Sequence, residues 1–166
     1  MDKETQLGPL SSEDALETIL KQVEKAVKQG AKIETGGKKA DLKGNFMQAT
    51  VISNITSEMD LYKEELFGPV ASFYKVKNEE EAIKVANATD FGLGGSVFSK
   101  DIERAKNVAN QIDSGMIFIN QPTRSSTELP FGGTKRSGYG RELSALGIDE
   151  FVNKKLIRVI AENDKM

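Results

Sequence analysis

The sequence predicts an α/β protein with a mostly parallel, doubly wound sheet, flanking helices and a C-terminal edge strand, and three observations carry that prediction. From Val70 onward, short runs rich in β-branched and aromatic residues alternate with helical periods of about ten residues, the rhythm of strand–helix–strand crossovers. The run Met116-Ile117-Phe118-Ile119 is apolar at consecutive positions, as expected of a strand covered on both faces. With 38% hydrophobic residues and 15 Gly among 166, the composition is that of a folded chain able to bury a core.

The elements follow in order. Over residues 11–29 the apolar positions Leu16, Ile19, Leu20, Val23, Ala26 and Val27 keep to one face of a helix. Ser11 with Asp14 suggests a capping box, and Gly30 a left-handed stop. Residues 31–35 then read as a short strand closed by Gly36-Gly37, residues 38–44 as a loop, and residues 46–53 as a longer strand. After Pro69 come a strand at 70–76, a helix at 79–88 capped by Asn78, a strand at 95–98, a helix at about 101–112 and a strand at 116–120. Residues 121–141 break the rhythm with Pro, Gly, Ser and Thr; a loop this long is usually functional or disordered, and the functional reading is preferred because it leaves the carboxyl end of a strand, where open α/β sheets bind ligands. A short helix at 142–151 and a strand at 155–160 complete the chain.

Composition removes several kinds of chemistry. The sequence holds no Cys and no His, so it offers no disulfide, no Cys/His zinc site, no Ser-His or Cys-His pair and no imidazole base. A net charge of -2 gives no electrostatic case for nucleic acid or an anionic membrane. No uncharged stretch approaches the ~17–25 residues of a membrane-spanning helix, and the N-terminus lacks the pattern of a signal peptide, so a cytoplasmic location is expected.

Phosphate-binding fingerprints fail as well. Gly92-Leu93-Gly94 and Gly138-Tyr139-Gly140 each start a G-x-G, but Val97 and Leu143 stand where a third glycine belongs, and no Walker sequence is present. The acidic group Glu79-Glu80-Glu81 falls in the first turn of a predicted helix, where carboxylates meet the helix dipole. Glu64-Glu65 differs, because it precedes Leu66-Phe67-Gly68-Pro69 and so places a carboxylate and a phenyl ring at the mouth of a strand; a merely solvated helix end is the alternative. In the long loop, Arg124 beside Ser125, Ser126 and Thr127 suits a small carboxylate or phosphate, since a guanidinium fork binds two oxygens while hydroxyls donate to others; a hydrated polar loop is the alternative. Lys135, Arg136 and Arg141 are too few to suggest nucleic-acid binding.

Three segments together resemble the aldehyde dehydrogenase superfamily: Glu64-Glu65-Leu66-Phe67-Gly68-Pro69-Val70; Ser114-Gly115 leading to Phe118-Ile119-Asn120; and Pro130-Phe131-Gly132-Gly133 with Lys135, Ser137-Gly138 and Gly140-Arg141-Glu142. Their order and separations match the family too, and Asn120-Gln121-Pro122-Thr123-Arg124-Ser125-Ser126 is most similar to bacterial succinate-semialdehyde dehydrogenases. The resemblance implies that Glu65 accepts hydrogen bonds from the nicotinamide ribose of NAD or NADP, that Phe67 packs beside that ribose, and that Phe131 lines the substrate tunnel. It further implies that Ser125 contacts the distal carboxylate of a small aldehyde substrate; Arg124 is added to that contact on its position beside Ser125.

In the family a cysteine attacks the aldehyde, and that cysteine, the water-activating glutamate and the Rossmann-like cofactor domain all lie upstream of the matched region. The expectation is therefore a C-terminal fragment, with no catalytic residue and no metal site in this chain. Residues 1–150 would form a partial catalytic domain and residues 151–166 an oligomerisation strand and tail. Expected partners are a second copy or the missing N-terminal portion. The alternative is a non-catalytic module that associates with itself or with a full-length homologue.

Overall fold

The computed structural model describes residues 3–160, and the chain divides into two compact units, residues 1–90 and 91–166. The first opens with α1 (Glu13–Lys28). Its cap is Ser12, whose Oγ accepts from the Ala15 amide at 3.1 Å, one residue beyond the predicted Ser11. Glu13 and Asp14 sit in its first turn, Lys25 and Lys28 in its last, each sign matching its end of the helix dipole. Gly30, at φ +111°, ends it as predicted, in a region that other residues rarely enter.

Strands β1 (Lys32–Thr35), β2 (Thr50–Ser53) and β3 (Val70–Ser72) form one sheet in that order. β1 runs antiparallel to β2, and β2 parallel to β3 with Thr50 opposite Val70. The apolar stripe of α1 covers this sheet: Leu16, Ile19, Val23 and Ala26 are buried together with Ile52, Ile55, Met59 and Leu61. Thr50 is a polar residue inside this core, and its hydroxyl is satisfied twice, accepting from the Gly37 amide at 2.8 Å and donating to the Gln48 carbonyl at 2.7 Å. Asp60 ties α1 to the 3₁₀ turn at Asp60–Tyr62 through Lys25 at 2.9 Å and Gln29 at 2.7 Å. The hydrogen bond and charge of Lys25, then the bond from Gln29, hold the Asp60 carboxyl below the ordinary aspartate value. Helix α2 (Glu79–Asn87) closes the unit, with the Asn78 side chain accepting from the Glu81 amide at 2.9 Å and the three glutamates in the first turn, as the sequence predicts.

The second unit is built on a parallel crossover. β5 (Gly94–Val97) leads through α3 (Ile102–Ala109) to β6 (Met116–Ile119), in register from Gly94 opposite Met116 to Val97 opposite Ile119. Asp101 caps α3 by accepting from the Arg104 amide at 3.0 Å, and Ala105 is the fully covered contact beneath it. β4 (Phe91–Gly92) pairs antiparallel with β7 (Thr134–Lys135), a strand inside the stretch predicted to be all loop.

The α/β class and the parallel pairings agree with the sequence, but the strands form a three-stranded and two two-stranded sheets; β1, β2, β3 and β6 are shorter than predicted, and β5 keeps its length one residue earlier. The four residues of β6 are each half-buried, not covered on both faces. The predicted helix at 142–151 shortens to a 3₁₀ turn at Gly147–Phe151. The predicted C-terminal edge strand is not formed within this chain: residues 152–160 make no ladder, because a strand exists only opposite a partner, and Leu156, Ile157 and Val159 lie exposed. Residues 161–166 of the expected tail lie outside the described residues.

The core of the first unit generates a stability prediction. Ile52, at 0% exposure, sits between α1 and the sheet, so Ile52→Ala is expected to lower unfolding free energy by about 2–5 kcal/mol, the usual range for a buried truncation. Urea unfolding followed by circular dichroism reads that loss.

Candidate functional site

In the second unit, β6 delivers the chain into the long loop, and Arg124, Ser125 and Phe131 come to line one hollow of about 330 Å³ with Leu93, Gly94, Met116 and Thr123. The sequence singles out the first three; the structure adds the other four, including Gly94 at the head of β5. Three other basic residues of the loop are engaged elsewhere. Lys135 pairs with Asp113 at 3.5 Å, Arg136 stacks over the Phe91 ring at 5.5 Å, and an Arg141 guanidinium nitrogen donates to the carbonyls of Gly133 at 2.9 Å and Gly140 at 2.6 Å. Of the four, Arg124 is the cation lining this hollow.

Phe131 is fixed by its own backbone. Its amide donates to the Glu142 carbonyl at 2.8 Å and its carbonyl accepts from the Glu142 amide at 2.7 Å, a two-way antiparallel bridge across the loop. Next to it, Gly132 lies so close to Gly115 that a Cβ on Gly115 would overlap the Gly132 carbonyl; this approach requires glycine. Phe131 and Leu93 also line a neighbouring hollow of about 250 Å³.

Glu128, which does not itself line the hollow, shapes the loop in a way the sequence did not reveal. Its carboxylate accepts from the hydroxyls of Ser126 and Thr127, the latter at 3.2 Å, and folds the loop back one turn after Arg124 and Ser125. The Ser126 hydroxyl first, then a backbone amide, the Thr127 hydroxyl and the Arg124 charge hold its carboxyl below the ordinary glutamate value. The available signal was a Ser-Ser-Thr-Glu run, in which hydroxyls two and one residues before a carboxylate can reach it.

In the first unit, exposure alternates through Glu65, Leu66 and Phe67: Leu66 packs on the core while Glu65 and Phe67 face outward. Phe67 is 82% exposed, unusual for a phenyl ring. Gln22 of α1 holds the neighbouring Glu64 by a 3.2 Å hydrogen bond, while the Glu65 carboxylate has no hydrogen-bond partner among the described residues. Behind them Gly68 lets the chain press onto the Ile19 side chain. A larger hollow of about 630 Å³ in this unit, walled by Tyr62, Phe73 and Tyr74, is reached by Glu81 of the acidic group but by neither Glu65 nor Phe67. Among the described residues, no cluster of acidic groups could hold a metal ion, and no helix is long and apolar enough to cross a membrane.

The Glu128 geometry makes a pH prediction with a defined sign. A depressed carboxyl contributes loop stability that is present above its unfolded value and lost as pH falls through its lower folded value. The Ser126 and Thr127 resonances are therefore expected to be constant near neutrality and to shift only at pH below the ordinary glutamate range, in step with Glu128. Titration of the Glu128 side-chain carbon by NMR at or above that range would show that the fold-back does not form.

Comparison with known proteins bears on the family of the chain. The aldehyde dehydrogenase family model matches residues 1–157. The succinate-semialdehyde dehydrogenase [NADP(+)] of Deinococcus radiodurans is 51% identical over 164 residues, 99% of this chain and 34% of that protein. A second relative, succinate-semialdehyde dehydrogenase [NADP(+)] 1 of Mycobacterium tuberculosis, is 49% identical over 156 residues, again across 34% of its length. Among solved structures, the succinic semialdehyde dehydrogenase of Streptococcus pyogenes in complex with NADP+ superposes with a TM-score of 0.92 at 50% identity, over 96% of this chain and 35% of that one. The betaine aldehyde dehydrogenase of Staphylococcus aureus in complex with NAD+ does so with a TM-score of 0.86 at 39% identity, over 91% and 31%. The chain spans about a third of the length of these relatives. With nearly its whole described length matched in both sequence and backbone, this chain belongs to the aldehyde dehydrogenase family.

Proposed function

We propose that this chain supplies the substrate-carboxylate wall and part of the nicotinamide wall of a succinate-semialdehyde dehydrogenase, an enzyme oxidising that aldehyde to the acid with NADP or NAD. The observation that carries the reading is the convergence of Arg124, Ser125 and Phe131 on one hollow of about 330 Å³. A C4 semialdehyde has one charged end and one reacting end, so its recognition needs a cation and a hydroxyl at the far end and an apolar wall along the stem. Arg124 presents the guanidinium fork to the carboxylate, the Ser125 hydroxyl donates beside it, and Phe131 walls the stem and keeps water out.

The outward pair in the first unit fits the ribose end of the cofactor. An exposed carboxylate without a hydrogen-bond partner among the described residues suits a vicinal diol as hydrogen-bond donor, and an exposed ring two residues away suits a flat nicotinamide. Glu65 therefore holds the ribose hydroxyls, and Phe67 limits where the nicotinamide swings. Bound there, the cofactor supplies the hydride acceptor. The nucleophile comes from elsewhere, since this sequence contains 0 Cys. The partner that would supply it is the cysteine-bearing portion of such an enzyme, and a cytoplasmic location suits that pairing.

A second reading, a non-catalytic module that associates with itself or a full-length homologue, is favoured by the exposed apolar residues Phe151, Leu156, Ile157 and Val159. Residues 151–160 then act as an oligomerisation strand by adding to a sheet edge.

The chain alone is expected to produce no NADPH or NADH from succinate semialdehyde, and turnover by the purified cysteine-free protein would overturn the fragment reading. The two readings separate on ligand binding. Isothermal titration with succinate should show binding that Arg124→Ala weakens by roughly 1.5–3 kcal/mol, the usual worth of a charged hydrogen bond. Self-association in sedimentation without any succinate binding would favour the interaction module.

A further inference from the structure

The substrate arm, residues 121–126, is held in place by little of its own. Among the described residues, none of residues 121–125 makes a backbone–backbone hydrogen bond, and all five are exposed. Two anchors bracket the arm. Downstream, the Thr127 carbonyl accepts from the Ser144 amide at 2.9 Å. Upstream stands Asn120, the residue that follows the last residue of β6.

Asn120 meets two demands at once. Its backbone lies at φ +57°, the left-handed region in which the chain turns away from the strand and which asparagine tolerates better than other residues that carry a side chain. Its side-chain amide then grips the backbone of Ser99 from both sides: Oδ1 accepts from the Ser99 amide at 2.8 Å and Nδ2 donates to the Ser99 carbonyl at 2.9 Å. Its own amide donates to the Val97 carbonyl at 2.9 Å. The side chain thus mimics one more rung of the β5–β6 ladder, whose last paired residues are Val97 and Ile119. Glycine satisfies the backbone demand without the grip. Aspartate accepts but does not donate, and alanine fails on both.

Ser99 is also well seated. Its hydroxyl accepts from the Asp101 amide at 3.1 Å, and Asp101 caps α3, so the grip connects the start of the arm to a helix end. Beyond Asn120 the arm touches β5 through Thr123, whose methyl lies 3.2 Å from the position a Cβ would take on Gly94. Arg124 and Ser125 follow directly.

We propose that Asn120 is a positioning residue for substrate recognition: its two-way hydrogen bond to Ser99 sets the direction in which the arm carries Arg124 and Ser125 toward the substrate carboxylate. The inference rests on the reading of Arg124 and Ser125 as the carboxylate contact. Asn120 itself touches no substrate.

The test compares the full chain with Asn120→Gly and Asn120→Asp. Glycine keeps the left-handed backbone, so the variant retains its fold, checked by unchanged resonances of Ala105 and the α1 core. Two readouts are taken. The first is the NMR contact between the Thr123 methyl and Gly94, with backbone order parameters for residues 121–126. The second is succinate affinity, with chloride as the charge-only control. In Asn120→Gly the Thr123–Gly94 contact should vanish, the order parameters fall, and succinate affinity drop about tenfold, the scale of losing preorganisation in a short loop. Asn120→Asp, retaining one of the two bonds, should lie between. Chloride affinity should not change. An unchanged contact and unchanged order parameters in Asn120→Gly overturn the proposal whatever the ligand does, and so does a lost contact with succinate affinity unchanged. If the parent chain binds no succinate at all, the carboxylate reading falls and takes the recognition role with it, while the first readout still shows whether Asn120 orders the arm.

Discussion

The second unit depends on a place where the backbone passes itself with nothing between. Gly115, entering β6, lies against Gly132, and its amide also donates to the Gly92 carbonyl at 2.9 Å. Three passes of chain are thereby stacked at main-chain separation: the end of β4, the start of β6 and the turn that carries Phe131. Any side chain at Gly115 would push the Phe131 turn away from the strands that face it. The bridge between Phe131 and Glu142 and the ties from Arg141 hold that turn from its other side. The ring of Phe131 is thus placed by close backbone contacts together with the Arg141 guanidinium.

The two units are stabilised by different means. Among the described residues, the buried apolar side chains are nearly all in the first unit, where α1 covers the sheet, and Ala105 is the one in the second. The first unit follows ordinary hydrophobic packing and is the natural carrier of cooperative unfolding. The second relies on hydrogen bonds, caps and close glycine contacts. Such a unit opens at lower cost, and loops that receive ligands are commonly drawn from that end of the stability range.

What the sequence made legible follows from the range of the forces involved. Helix α1 was readable because its stripe, its cap and its terminal glycine are local signals that agree, and the shift of the cap from Ser11 to Ser12 reflects two adjacent hydroxyls with equal claim. The parallel crossover through α3 was readable from alternation. The hidden parts are the ones set at long range. β7 formed inside a stretch without periodicity because β4 offered it a partner 42 residues earlier along the chain, as the Thr134 hydroxyl bonding to the Gly92 carbonyl illustrates. The opposite error occurred at residues 155–160, where a good local pattern pairs with no strand among the described residues. At the site, the guanidinium, hydroxyl and ring could be named from their neighbours in sequence, but Glu128 and Asn120 act through backbone turns that residue types alone do not specify.

The last stretch of chain has a consequence for how it can be covered. In an extended conformation successive side chains point to opposite faces, so Leu156 and Ile160 would share one side with Arg158, while Ile157 and Val159 would share the other. An added sheet edge would satisfy its amides and carbonyls yet shelter neither row. Shelter requires material above and below as well as beside, and the long basic side chains Lys154 and Arg158 on one face and Lys155 on the other reach past it to water.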